Sequence, residues 1–219
     1  MAPTADLESV AMALQETWRG LCPAGRLAVS FRKIEREADD HLLGRLTPSQ
    51  LDRYNRLKAG FRRLQWSESR RSEQALMDLL GRSDGRIFTS ISHSGLTEKT
   101  EADQYVLAAG LGTGHARIVA GIGVDIEKAD RKVDGSMDVI LIAPEERKHG
   151  LSLLDFWVIK EACFKANPRN EKTALPQYVV ESMDLASGKG TLVGPGGTRY
   201  IFHVTHSGPW KATLALHLS

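Results

Sequence analysis

The sequence predicts an α+β fold, and three features carry that expectation. Alternating strand-like stretches recur in both parts of the chain, each part holds one long helical pattern, and the elements do not follow a strict β-α-β-α order. In order, residues 5–18 read as an amphipathic helix, and Leu27–Arg32 as a short strand followed by a charged segment. Thr47-Pro48-Ser49-Gln50 starts a helix with proline in its first turn, and helical pattern then runs to Leu80 with a break near Gly60. Gly81–Gly85 is a turn, and Ile87–Ser92 alternates as a strand does. Gln104–Leu111 and Ala116–Ile126 read as two strands joined as a hairpin across Gly112-Thr113-Gly114. A helix around 151–167 follows, then strand-like pieces near 178–184, 190–193 and 199–205 and a closing strand, Lys211–Leu218.

The chain of 219 residues is long enough for one large domain or two small ones, and the pattern above suggests two halves. Its longest apolar runs fall short of the ~20 residues of a membrane span, and the start carries no basic, signal-like region. Cys22 and Cys163 lie far apart, without metal-ligand spacing. The expectation is a reduced, cytoplasmic protein that does not enter membranes. The net charge of +2 says little, but its distribution says more: Arg53, Arg56, Lys58, Arg62, Arg63, Arg70 and Arg71 face one acid, Glu68, between positions 53 and 71. Such a run is either a solvated helix face or a surface for a phosphorylated ligand or an acidic protein. It matches no nucleic-acid module, so nucleic acid is not expected as a partner.

The glycines of 110–114 and 121–123 do not make a dinucleotide site, because that fingerprint needs a strand, the glycine turn and then a helix. Here Gly121 and Gly123 fall within a strand and lead into Val124-Asp125-Ile126-Glu127. Two apart on a strand, Asp125 and Glu127 project from one face, while Val124 and Ile126 point into a core. Alone, that pair reads as the polar side of an edge strand. A third carboxylate changes the weight. The helix through LDFWVIKEACFKA (154–166) is apolar nearly all round, with Leu153, Phe156, Ile159, Cys163 and Ala166 on one side and Leu154 and Val158 on the other. Glu161 and Lys165 stand one turn apart on that second side, and a charged pair on such a helix asks for a partner. Packed on the 123–127 strand, Glu161 joins Asp125 and Glu127 in an all-oxygen set suited to Mg²⁺ or Mn²⁺. In Ser90-Ile91-Ser92-His93-Ser94-Gly95, Ser92 and His93 end a strand at a glycine turn, where they either meet a ligand phosphate or simply cap the strand. A nucleophilic triad has little support, since no G-x-S-x-G elbow is present.

Taken together, Ser90-Ile91-Ser92-His93-Ser94, Gly123-Val124-Asp125-Ile126-Glu127 and Trp157-Val158-Ile159-Lys160-Glu161-Ala162-Cys163-Phe164-Lys165-Ala166 resemble the signatures of the Sfp-type 4'-phosphopantetheinyl transferases. These motifs cover roughly residues 90–166. The resemblance implies two similar α+β halves in a pseudo-twofold arrangement, residues 1–112 on the coenzyme A 3'-phosphate side and 113–219 with the metal carboxylates. It implies transfer of the phosphopantetheine arm of coenzyme A to a serine of an apo carrier protein, leaving 3',5'-ADP. Asp125, Glu127 and Glu161 would bind Mg²⁺ (Mn²⁺ as an alternative), Lys165 would contact the phosphates, and Ser92 and His93 would hold those of the 3',5'-ADP part. Glu161 would also serve as the base that takes the serine proton, directly or through water. Arg53, Arg63 and Arg70 are candidates for the 3'-phosphate, or for steering an acidic carrier. With both halves in one chain, a monomer is expected.

Two departures from that family pattern stand out. Gly85-Arg86-Ile87 is the nearest counterpart of the G-K-P that many relatives carry, so Arg86 is a candidate for the place of the coenzyme-binding lysine, and an extra polar loop spans 95–103. Two other readings remain open. A coenzyme A-binding module without transfer would not need all of Asp125, Glu127, Glu161 and Lys165. A metal-dependent nuclease would want its lysine two residues from a metal carboxylate, whereas Lys128 directly follows Glu127 and points to the other face.

Overall fold

The structure is a computed structural model that describes residues 7–22, 25–34, 44, 46–58, 60–81, 86–94, 104–113 and 118–219. The polar loop 95–103 and most of the 81–85 turn lie outside the described residues, as does Gly114 of the 112–114 link. The elements are α1 (Leu7–Arg19), β1 (Arg26–Lys33), α2 (Pro48–Arg56), α3 (Gly60–Leu80), β2 (Ile87–Ser94), β3 (Tyr105–Gly112), β4 (Val119–Lys128), α4 (Met137–Leu141), α5 (Leu153–Ala166), β5 (Val179–Asp184), β6 (Lys189–Val193), β7 (Arg199–Ser207) and β8 (Trp210–Leu218). Mixed α+β organisation is therefore observed. Among the described residues no helix is long and apolar enough to cross a membrane.

Two antiparallel sheets carry the fold, one ordered β1-β3-β2 and the other β4-β8-β7-β6-β5. The hairpin expected between β3 and β4 does not form. Both edges of β3 are already paired, Leu107 lying opposite Phe31 on one side and Ser92 on the other, so β4 joins the second sheet against β8 instead. A ladder with β4 would need a third edge, which no strand has.

Strand alternation sorts the side chains into layers. Leu27, Val29, Phe31, Leu107, Ala109 and Leu111 of the first sheet meet Val124, Ile126, Trp210, Ala212 and Leu214 of the second, with Leu14 and Trp18 of α1 closing the side of that core. The Trp18 indole also donates to Thr205 Oγ1 at 2.9 Å, tying α1 to β7. On the outer face of the first sheet, Leu76 and Leu80 of α3 pack on Ala28 and Ala108. On the outer face of the second, Phe156, Ile159, Ala162, Cys163 and Ala166 of α5 pack among Tyr178, Leu192, Tyr200, Phe202 and Ala215.

Helix starts follow the sequence signals. Thr47 caps α2 in a reciprocal box with Gln50, with Pro48 at the first helical position. Ser152 caps α5, its Oγ accepting from the Asp155 amide at 3.2 Å while the Asp155 carboxylate accepts from the Ser152 amide at 2.9 Å. The break near Gly60 separates α2 from α3, where Arg63 Nε donates to Leu57 O at 2.8 Å and its guanidinium covers Tyr54.

Candidate functional site

The candidate site lies where β2, β4 and α5 meet. Glycine sets how closely α5 approaches: a Cβ on Gly123 would stand 1.8 Å from Ala162 O, and one on Gly121 would stand 2.1 Å from Ala166 O. Only strand positions without side chains let a helix backbone lie this near. That approach brings Glu161 and Lys165 over the 125–127 stretch of β4.

β2 and β4 run side by side in the same direction without a main-chain ladder. Serines on one face of β2 span the gap. Ser90 Oγ accepts from the Val124 amide at 3.0 Å, Ser92 Oγ donates to Asp125 Oδ1 at 2.7 Å, and Ser94 Oγ donates to Glu127 Oε2 at 3.4 Å. Lys165 Nζ completes the seam, donating to Asp125 Oδ1 at 2.6 Å and to Ser92 Oγ at 3.0 Å. The sequence-predicted Ser92, Asp125, Glu127, Glu161 and Lys165 are thus brought together from three elements.

Asp125 and Glu127 are buried, and their neighbours Val124 and Ile126 enter the inter-sheet core as strand alternation requires. Glu127 is paired by Arg131 from the turn after β4, and the Arg131 guanidinium lies 5.2 Å from the centre of the Trp157 ring. Glu161 is half-buried; burial pushes its carboxyl up, Lys165 draws it down, Asp125 pushes it up again and Arg131 draws it down. Three carboxylates therefore share two cations, which leaves the cluster an excess of negative charge.

Among the described residues no group of three or more His, Cys, Asp or Glu side chains forms a ready-made metal cage. Lys165 and Arg131 sit on two of the three carboxylates, while Asp125 Oδ2 is buried without a hydrogen-bond partner. A buried carboxylate oxygen left bare is costly, and a cation would satisfy it. The donor set is all oxygen, the charge excess is negative and one oxygen is free, so the residues present fit a hard divalent cation.

His93 points to the opposite face of β2 from Ser92, under α3. Its Nε2 lies 2.8 Å from Ser69 Oγ, and that hydroxyl gives its proton to Gln65 O at 2.7 Å. Ser69 must then accept from His93, so the neutral ring carries its proton on Nε2. Burial, with Lys165 and Arg62 adding positive charge, lowers the His93 pKa from 6.5 to about 4 despite a raising contribution from the Gln65 backbone. His93 is therefore a neutral hydrogen-bonding group near pH 7.

The arginines divide differently from the sequence expectation. Arg62 is the one on α3 that reaches His93 electrostatically, and no motif singled it out. Arg63 is engaged at the α2–α3 junction, Arg70 pairs with Glu73 at 2.5 Å and covers Trp66, and Arg53 is exposed on α2. Arg86 precedes β2, six residues before Ser92, which at strand rise puts it about 20 Å from that serine.

Sequence reasoning also missed Lys160. Its ammonium is fully buried, donating to Leu141 O at 2.6 Å and to Glu146 Oε2 at 2.7 Å. The equally buried Glu146 accepts from the amides of Ala143 at 2.7 Å and Val180 at 2.6 Å. This pair pins α5 to the segment before it and to β5, on the side away from Glu161. A separate groove of about 690 Å³ runs along β1 between α1 and α3, and none of the seam residues lines it. No protein-family model matches the chain, and no curated protein matches it.

Proposed function

We propose that the chain is a 4'-phosphopantetheinyl transferase, moving the phosphopantetheine arm of coenzyme A to a serine hydroxyl of an apo carrier protein and releasing 3',5'-ADP. The observation that carries this reading is the Lys165 ammonium bridging Ser92 and Asp125 in a seam that also gathers Glu127 and Glu161. These are residues of all three signature stretches, from three separate elements, meeting in one place. The proposed architecture is two similar α+β halves, 1–112 and 113–219, related by a pseudo-twofold axis. The layering supports it, since a long helix covers the outer face of each sheet.

Asp125, Glu127 and Glu161 are the residues that would hold Mg²⁺ or Mn²⁺, which when bound neutralises charge on the coenzyme's pyrophosphate. Lys165 adds its ammonium from the Ser92 side. Ser92 offers a hydroxyl to phosphate oxygens, while His93, on the other face of β2, and Arg62 of α3 are the groups proposed to receive the 3',5'-ADP part. Glu161 accepts the proton of the carrier serine, and a carboxyl raised by burial is a stronger base than an exposed one. The serine oxygen then forms a bond to the phosphorus of the arm, the pyrophosphate P–O bond breaks, and its electron pair leaves with 3',5'-ADP. Catalysis of this kind is positioning and charge neutralisation, which the paired cations and carboxylates supply.

The proposed acceptor is a soluble carrier domain, and a monomer is expected because both proposed halves belong to one chain. Chromatographic detection of 3',5'-ADP from coenzyme A and Mg²⁺, formed only when apo carrier protein is added, tests the reading. Coenzyme A bound with no 3',5'-ADP released across fatty-acid, polyketide and peptide carriers overturns it in favour of a binding module.

A further inference from the structure

We infer that Arg131 is a resident counter-ion of the carboxylate site, displaced from Glu127 when a divalent cation enters. The inference rests on the reading that Asp125, Glu127 and Glu161 bind that cation. Within the site the two positive groups are held very differently. Lys165 comes from the last turn of α5 and is fixed by Asp125 and Ser92 together. Arg131 comes from the irregular segment after β4, whose backbone is held by two hydrogen bonds, the Ala129 amide donating to Pro209 O at 2.8 Å and the Arg131 amide to Lys128 O at 2.9 Å.

The side chains differ as well. That of Glu127 is 9% exposed while that of Arg131 is 40% exposed, so the guanidinium approaches a buried carboxylate from the solvent side. Its other contact is the face of Trp157, which is compatible with movement because stacking on a ring fixes no single hydrogen bond. Arg131 occupies one Glu127 oxygen and the Ser94 hydroxyl lies 3.4 Å from the other, so a cation that takes both oxygens of Glu127 displaces the guanidinium. Two effects then act in the same direction. The arginine competes for the carboxylate, and its charge repels the cation. Removing Arg131 therefore strengthens cation binding, whereas a residue that merely props Glu127 in position would weaken it when lost.

The test is titration of the full chain with Mn²⁺ alone, free ion being read from its electron paramagnetic resonance signal, with no coenzyme or carrier present. Arg131→Gln is expected to bind Mn²⁺ about fivefold more tightly than the unaltered protein, the scale of one partly exposed ion pair. Arg131→Lys, which keeps the charge, stays within about twofold, and added salt narrows the difference as screening removes the competition. Arg131→Met repeats the test should Arg131→Gln fail to fold. Equal or weaker Mn²⁺ binding by the neutral variants overturns the inference, as does the absence of binding in every form. Release of 3',5'-ADP by the unaltered protein separates the two ideas: transfer with unchanged Mn²⁺ affinities sinks the counter-ion role and leaves the transferase reading standing.

Discussion

Gly123→Ala is the substitution that most directly couples packing to the candidate site. Its methyl would arrive 1.8 Å from Ala162 O and 2.6 Å from the Ala166 nitrogen, both backbone atoms of α5, where ordinary contact begins at 3.4 Å. No side-chain rotation relieves this, so the helix must retreat from β4 by roughly 1.5 Å, an overpacking that costs about 2–3 kcal/mol. For a chain of this length that corresponds to a fall in Tm of roughly 5–10 °C. A retreat of that size also carries Glu161, on the same helix, away from Asp125 and Glu127 on β4, so Mn²⁺ affinity and 3',5'-ADP release should fall by more than the lost stability explains. Differential scanning calorimetry alongside the Mn²⁺ titration reads both effects. Gly135→Ala is the control, since its added methyl meets nothing within 4 Å and the change should stay within about 0.5 kcal/mol. A Gly123→Ala protein with unchanged Tm and unchanged Mn²⁺ binding would refute the close-approach reasoning.

Lys160→Met strands the fully buried Glu146 carboxylate and should cost about 3–5 kcal/mol in urea denaturation, while adding Glu146→Gln recovers part of the loss; equal costs for the single and double variants would contradict this. Burial raises the Glu161 carboxyl, so the folded state favours its protonated form, and that contribution fades as pH climbs through the raised pKa. In metal-free protein at pH 7, Glu161→Gln should therefore raise Tm while abolishing transfer; a lowered Tm would count against it. For His93 the folded pKa lies near 4 against 6.5 for the free group, so its contribution is complete above pH 6.5 and is lost as pH falls toward 4. His93→Gln should flatten stability across that window, and an imidazole NMR titration should show a midpoint well below 6.

Much of the fold was legible from local chemistry. The Thr47 and Ser152 caps, the break near Gly60 and the period-two strands depend on neighbours in sequence, and the observed boundaries follow them. The β3–β4 link was misread because strand pairing is a long-range choice: whether β3 had a free edge depended on β1, over seventy residues earlier. The convergence of Asp125, Glu161 and Lys165 followed from a charged pair on an otherwise apolar helix and from alternation along β4. Ser90 and Ser94 gave no separate signal, since a serine bridging two strands looks like any serine in a strand. Arg131 was one charge in a charged segment until Glu127 and Trp157 were seen beside it. Lys160 adjoins Glu161 in the motif, yet one helical step turns it by about 100°, away from the carboxylate cluster and toward Glu146.

The central claim is tested most directly by intact-mass spectrometry of an apo carrier protein incubated with the chain, coenzyme A and Mg²⁺, beside an EDTA control and the Asp125→Asn variant. The account predicts that the carrier gains the mass of one phosphopantetheine arm, and that chelation or the variant removes the gain. A carrier of unchanged mass across fatty-acid, polyketide and peptide types, or a gain indifferent to EDTA and to Asp125→Asn, would contradict it.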